Sequence, residues 1–424
     1  MAHVHIIGAG MAGLAAAVKL TKSDIPVTVY EGAGQAGGRC RSFYDSNLKA
    51  RIDNGNHLML SGNGSVEDYL ETVDAKDSFE VPGEAVFPFL DLVSGEKWAV
   101  RPGKGRLPFW LFDKKRNVPG ATTIEYLSAL NIYFATNKKT VSDCVGNSGK
   151  LFERFWEPLT LAVLNTPPRQ GSAILLEAVM KETFFKGSKF CRPMIAKQGL
   201  SESLVDPALK YLKSKGAKVK LNTRLTRLEG EGAVLKALVF GKEKVVLDST
   251  NDRIIFALPP TTLKSFFPDQ KMPDKFHPIA NVHFKLDEKG KRFGDVPFLG
   301  LIGGAAHWLF IRNNIASVTI SAADNLADLK ADEVAKLIWR DVARALGMNA
   351  KKLPKNRVIR EKRATFSQTP KQVAKRPNSW GPIKGVYLAG DWTNTEIPAT
   401  IESAVRSGFK AAEVLAEDNQ LKLE

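Results

Sequence analysis

The stretch Val4-His5-Ile6-Ile7-Gly8-Ala9-Gly10-Met11-Ala12-Gly13 decides the fold. Val4 to Ile7 reads as a buried parallel strand, the glycines as a turn, and Met11 to Thr21 as an apolar helix. Pro26 to Tyr30 is a second strand that closes a βαβ unit. Within this G-x-G-x-x-G, Gly8 permits the tight turn, Gly10 lets a pyrophosphate approach the backbone, and Gly13 lets helix and strand pack closely. The helix start at Met11 and Ala12 then faces the phosphates with unpaired N–H groups and a favourable dipole. Glu31 stands 18 residues after Gly13, where a carboxylate binds a ribose 2′-hydroxyl and disfavours a 2′-phosphate.

Working outward, Gly37-Gly38-Arg39-Cys40-Arg41-Ser42 supplies what nicotinamide enzymes do not have. Two glycines and an arginine wrap the pyrophosphate from its other side. Near the far end, Val386 to Asp391 is a buried strand ending in Gly390-Asp391, and Pro398 to Ala404 opens a helix. Asp391 is placed to accept hydrogen bonds from a ribityl chain. The N–H groups of Ala399, Thr400 and Ile401 are placed to stabilise negative charge at the N1/C2 side of a reduced isoalloxazine. Three motifs in this order, at both chain ends, specify FAD. Gly55, Asn56, His57 and Leu225 complete the expected cofactor contacts.

At 424 residues the chain exceeds one comfortable core, so two domains are expected. Hydrophobic content of 44% and charged content of 25% place it among ordinary globular proteins. No apolar run approaches the ~20 residues that span a bilayer, and the first strand begins too near Met1 for a signal peptide, so a cytoplasmic protein is expected. Cys40, Cys144 and Cys191 lie far apart, which argues against a disulfide frame or a zinc site. The net charge of +16 comes with no nucleic-acid signature, so an anionic membrane surface is the preferred reading and nucleic acid is not expected. Composition changes near Ala75, Gln198 and Pro259-Pro260. They divide the chain into an α/β FAD-binding domain (1–75, 195–260 and 375–424) interleaved with an α+β substrate-binding domain (76–194 and 261–374).

Four further segments carry a resemblance: Ile52-Asp53-Asn54-Gly55-Asn56-His57-Leu58-Met59-Leu60, Arg154-Phe155-Trp156-Glu157-Pro158-Leu159, Ala162 to Pro168, and Ala389 to Thr393 with Pro398 to Gly408. The chain resembles the phytoene-desaturase and amine-oxidase superfamily, and more closely the squalene-associated FAD-dependent desaturases, or hydroxysqualene dehydroxylases. The resemblance implies a Rossmann-like domain of the glutathione-reductase type and the reduction of hydroxysqualene to squalene in squalene or hopanoid biosynthesis. It also implies a functional association with the condensing enzymes that make presqualene diphosphate and hydroxysqualene. A phytoene-type desaturase or a flavin amine oxidase is the alternative, and a flavin-free prenyl-lipid carrier a third.

Removing a hydroxyl needs an acid, because hydroxide is a poor leaving group, and a pocket that excludes water from the allylic cation. Candidates for the acid are Glu157, among Phe155, Trp156 and Pro158, and Asp53. Glu157 alternatively pairs with Arg154 one turn away, and Asp53 alternatively braces its loop. His57 orients flavin or substrate, or fills space; Asn165 is grouped with the catalytic set, or caps a loop with Thr166. Amine oxidases of the superfamily carry a lysine in the substrate-domain sheet, where this chain places Asn281. No cysteine follows Cys191, so FAD is expected to be non-covalent, and no second G-x-G-x-x-G supplies an NADPH domain. Basic residues interleaved with rings at Arg101 to Arg116, and again at Lys181 to Arg192, suit peripheral contact with the inner face of the cell membrane.

Overall fold

The computed structural model describes residues 3–105, 117–231 and 234–423. The glycine turn sits in a five-stranded parallel sheet, ordered Lys218–Lys220, Val27–Tyr30, Val4–Ile7, Arg253–Phe256, Val386–Leu388. Three well-separated stretches of chain therefore share one sheet. Val4–Ile7, Val27–Tyr30 and Val386–Leu388 are buried throughout, as their largely apolar runs require, whereas the edge strand Lys218–Lys220 is partly exposed. The helix Met11–Lys22 packs on this sheet and on the last helix, Ile401–Asp418. The two helices can approach so closely because Gly408 lacks a side chain, whose Cβ would lie 2.2 Å from the Ala12 carbonyl; Gly13 is bare for the turn itself, where a Cβ would lie 1.9 Å from the Gly8 carbonyl.

The second unit is built on a seven-stranded sheet, ordered Asn356–Phe366, Phe276–Lys285, Ile315–Ile320, Trp308–Arg312, Phe298–Ile302, Phe87–Asp91, Lys97–Val100. Alternation gives it two different faces. Ala280, Val282, Phe284, Ala316, Val318 and Ile320 pack with Val334, Ile338, Trp339 and Val342 of the helix Ala331–Leu346. The opposite face carries Asn281, His283, Ser317 and Thr319, and beyond them a row of rings. Register aligns Asn281, Thr319, Trp308, Gly300, Phe89 and Trp98 across six strands. Gly300 is bare because the Phe89 ring lies over it, 2.4 Å from where a Cβ would stand. Helices between residues 123 and 182 cover the aromatic end, contributing Ile132, Phe155, Trp156, Leu164 and Leu176 to one core.

Two of the covering helices are short. The first, opened by a Thr122–Glu125 capping box, runs Thr123–Ala129 before tightening to a 3₁₀ turn at Leu130–Phe134. The second spans Ala173–Glu182, with a separate turn at Phe184–Lys186. A widened π turn at Phe152–Trp156 precedes the helix Glu157–Leu164, and another at Ser201–Val205 precedes Asp206–Ser214. Each π turn stands directly before a proline-bearing turn, at Pro158 and Pro207. Proline has no N–H to return to the carbonyl four residues back, and its ring crowds that carbonyl. A wider turn accommodates both.

Candidate functional site

The phosphate end is a backbone cradle. Gly8 has φ +108°, a conformation other residues rarely adopt, and Gly10 caps the helix with no side-chain bond and no acid in the first turn. The three glycines of the motif are bare for different reasons. Gly8 and Gly13 are forbidden side chains by the protein's own backbone, whereas a Cβ on Gly10 would meet nothing within 4 Å and its φ is ordinary. The space before Gly10 is therefore not required by the chain's own packing, which fits a ligand's pyrophosphate there. Gly37 lies against Gly10 in a bridge, its N–H donating to the Ala9 carbonyl at 2.8 Å. The Glu31 carboxylate accepts the N–H groups of Ala9 at 2.9 Å and Ala33 at 2.8 Å, one on each oxygen. Each oxygen keeps a lone pair for a ribose hydroxyl.

The two chain ends meet through Arg39, whose guanidinium donates to Asp391 Oδ1 at 2.8 Å and also to the Ala364 carbonyl. The Asp391 carboxylate holds that guanidinium firmly protonated. Cys40, next in sequence, is a buried packing residue, its thiol pushed up to about 12 by burial. Gly390 (φ +150°) donates its N–H to Ser407 Oγ at 2.8 Å, while the Trp392 indole covers it and donates to the Leu258 carbonyl at 3.0 Å. Leu225 lies in the same buried cluster as Tyr30, Trp392 and Ala399.

The helix that follows departs from expectation at one atom. The Ala399 N–H is donated to Gln368 Oε1 at 2.9 Å, so it is not free for a flavin carbonyl. Thr400 and Ile401 remain at the helix start, with Thr400 Oγ1 accepting from the Ser403 N–H at 3.2 Å. Sequence reasoning missed Gln368 and Arg376. The buried Arg376 guanidinium donates to the carbonyls of Asp391, Thr393 and Ile397 and to Thr395 Oγ1, fixing the loop between the Gly-Asp turn and the last helix. Its neighbours in sequence, Lys375 and Pro377, look like any basic surface turn.

The catalytic candidates separate clearly. Asp53 is buried, accepts from Ser42 Oγ at 2.6 Å and the Leu200 N–H at 3.0 Å, and pairs with Arg312 at 2.8 Å. That is the bracing arrangement. Asn165 takes a left-handed conformation at the end of Glu157–Leu164. It donates to Thr365 Oγ1 at 3.1 Å and the His277 carbonyl at 3.3 Å, and accepts from the Ala322 N–H at 2.6 Å. Its side chain is occupied as a cap rather than presented to a substrate, and Thr166 likewise accepts from the Gln368 N–H. His57 is half-buried and neutral, its pKa lowered to about 4 by burial against the opposing pull of Asp53.

The expected Glu157–Arg154 alternative is not formed. Arg154 is buried and turns instead to Glu96 at 2.6 Å and Asp91 at 3.3 Å, with Trp98 beneath it at 5.0 Å. The π turn separates the two side chains, and the hairpin Phe87–Val100 supplies the carboxylates. Glu157 is exposed at the helix start, and its carboxyl is raised by partial burial and by Glu153 one turn away, against Arg169. Asn281 is buried, in place of a lysine. It donates to the Asn54 carbonyl at 3.4 Å and accepts from Thr319 Oγ1 at 2.8 Å.

Of the basic aromatic stretch 101–116, residues 106–116 lie outside the described residues. In the second, Phe184 is buried, Phe185 stacks on Tyr133 at 4.0 Å, and Phe190 lies under Lys186 at 5.5 Å. Phe184 and Phe185 thus belong to the body of the protein, whereas Phe190 is half-exposed. No helix among the described residues is long and apolar enough to cross a membrane.

A glycine cradle, an acid at the second strand and a Gly-Asp turn before a helix start define a flavoenzyme that binds FAD in a two-unit oxidoreductase fold. A family model described as flavin-containing amine oxidoreductase matches residues 11–416. The chain is 43% identical to hydroxysqualene dehydroxylase from Sinorhizobium fredii over 98% of this chain and 99% of that one. It is 42% identical to hydroxysqualene dehydroxylase from Rhodopseudomonas palustris, over 97% and 98%. Cyclohexylamine oxidase from Brevibacterium oxydans shares the fold, with a TM-score of 0.72 at 16% identity over 99% of both chains. The chain thus belongs to the flavin-containing amine oxidoreductases and, within them, to the hydroxysqualene dehydroxylase family.

Because the space before Gly10 is not needed by the protein, Gly10→Val is expected to purify without FAD while the flavin-free forms of variant and parent unfold within about 0.5 kcal/mol of each other. Absorbance at the flavin bands and urea unfolding check the two halves. A Gly10→Val protein with stoichiometric FAD would move the pyrophosphate elsewhere.

Proposed function

We propose that this chain converts hydroxysqualene to squalene by reductive dehydroxylation. The observation that carries the reading is the outer face of the seven-stranded sheet, under the helical cap, where amide and hydroxyl groups on two strands give way to rings on the next four. Such a face suits a long hydrocarbon bearing a single hydroxyl. Amine oxidation is the less favoured reading, because the neutral amide of Asn281 has both ends engaged.

When bound and reduced, FAD supplies the hydride. The overall change breaks one C–O bond, forms one C–H bond, and releases the oxygen as water after it takes a proton. The chain's own residues bind the hydrocarbon, keep bulk water from the reacting carbon and supply that proton. Leu58, Leu159, Val163, Trp308 and Phe310, all partly buried around the aromatic core, provide the apolar wall. Among the four candidates, Glu157 makes no ion pair to Arg154, and partial burial and Glu153 raise its carboxyl toward the protonated form. Its exposure lets solvent restore the proton after each turnover.

Anaerobic incubation of photoreduced enzyme with hydroxysqualene is expected to yield one squalene per flavin oxidised, read by chromatography and by recovery of flavin absorbance. Oxidation of a polyene by the oxidised enzyme, with no squalene formed by the reduced one, would instead support the desaturase reading. In the same assay Glu157→Gln is expected to keep its FAD and slow squalene formation ~10²–10⁴-fold. Near-parental turnover would remove Glu157 from the mechanism.

The substrate's low solubility calls for a lipid surface, and we place that contact, on the inner face of the cell membrane, at the helical cap. Ile124 and Phe134 are 75% and 71% exposed there, with Leu127 and Tyr133 beside them and Lys138 close by in sequence. Apolar side chains beside cations insert at an anionic headgroup boundary. Replacing Ile124 and Phe134 together with Glu is expected to weaken sedimentation with phosphatidylglycerol vesicles by roughly tenfold or more. Unchanged sedimentation would place the contact on another face.

A further inference from the structure

The polar end of the sheet face contains a relay whose hydrogen-bond directions are fixed by one backbone atom. The Asn54 carbonyl can only accept, so the Asn281 amide must turn its NH₂ group toward it, at 3.4 Å. Asn281 Oδ1 is then left facing Thr319, whose single hydroxyl proton is committed to it at 2.8 Å. Thr319 Oγ1 therefore presents a lone pair to Asn56, and accepts from Asn56 Nδ2 at 3.1 Å. With its NH₂ group so engaged, Asn56 keeps its carbonyl oxygen as the end of the amide without a partner among the described residues. Gly55 keeps the relay in place by lacking a side chain, since a Cβ there would stand 3.2 Å from Asn281 Nδ2. Asn281 is 2% exposed, whereas Asn56 is half-buried, so the relay runs from an inaccessible anchor to an accessible acceptor.

We infer that Asn56 Oδ1 accepts the hydrogen bond of the substrate's hydroxyl, and that Thr319 and Asn281 are positioning residues that hold it as an acceptor. This rests on the dehydroxylation reading above. An unoriented amide presents either end equally; the relay fixes the nitrogen toward Thr319 and leaves the oxygen as the opposite end. Thr319 is the cross-strand neighbour of Trp308, the first ring of the aromatic row. The acceptor thus lies at the polar–apolar boundary, which fixes where along the hydrocarbon the hydroxyl comes to rest. The hydroxyl donates its own proton to Asn56, and its oxygen lone pairs stay open to the acid.

The test compares equilibrium binding of hydroxysqualene and of squalene to the oxidised holoenzyme, followed by perturbation of the flavin spectrum. The parent should favour the alcohol. Thr319→Val should lower the ratio of the two dissociation constants about tenfold with squalene binding unchanged, and Thr319→Ser should restore it. Asn56→Ala, compared with the parent at equal, stoichiometric FAD, should show the same loss. Thr319→Val and Asn56→Ala combined should lose no more than either alone. A parent that turns hydroxysqualene over while binding both ligands equally would overturn the relay and leave the function standing. So would a Thr319→Val or Asn56→Ala enzyme with an undiminished ratio. A parent that forms no squalene at all would remove the function on which the relay rests.

Discussion

The close approach of the first and last helices governs everything else in the molecule. Gly408 lies against the Ala12 carbonyl, and Ala15 and Ala16 continue the same small-residue face. At that spacing the start of Met11–Lys22 and the start of Ile401–Asp418 are held at set positions, where their two helix dipoles would face one bound FAD. Arg39 and Asp391 then tie the loop after the second strand to the loop that precedes the last helix. A cofactor long enough to touch both helix starts is selected by that geometry before any side chain contributes. The protein gains this with residues that contribute almost no side-chain burial, and the sheet beneath supplies the apolar mass.

The second unit solves a different problem, that of admitting a hydrocarbon next to polar chemistry. One sheet serves both needs because its residues alternate. The inner set, from Ala280 to Ile320, is packed by Ala331–Leu346, which leaves the outer set free to vary along the sheet without disturbing the core. Amides and hydroxyls occupy the two strands nearest the loop Asp53–His57, and rings occupy the strands beyond. The ion cluster of Arg154, Asp91 and Glu96 sits at the far edge, where it anchors the helical cap to the sheet rather than taking part at the polar end.

The cofactor-binding half was legible because its requirements are local. A glycine that must be bare, or an acid that must end a strand, is written at one position, and Gly8, Gly13, Glu31 and Gly390 all act within a few residues of where they stand. The substrate half was less so. The long strand Asn356–Phe366 is rich in Lys and Arg and has no clean apolar alternation, because it is the sheet's edge and one side of it faces water. The roles of Glu157 and Arg154 depended on a π turn that rotates one from the other, and on partners some 60 residues upstream. Gln368 and Arg376 were missed for the same reason: each serves backbone groups brought near only by the fold. The Asn281 substitution was visible, but its meaning lay in Thr319 and Asn56, which no spacing rule connects.

The strand order of the parallel sheet carries a consequence for biosynthesis. Val386–Leu388 is an edge strand, laid down beside Arg253–Phe256 only after the long stretch between them has been made. During translation four strands can associate while one flank stays open, and the glycine turn waits without the helix that completes its far wall. Nascent chains of this architecture therefore leave the ribosome with an unpaired, apolar sheet edge, a state prone to aggregation. Cofactor capture becomes a late event, coupled to docking of the C-terminal helix, and protein quality control sees the finished flavoprotein and its unfinished precursor as very different objects.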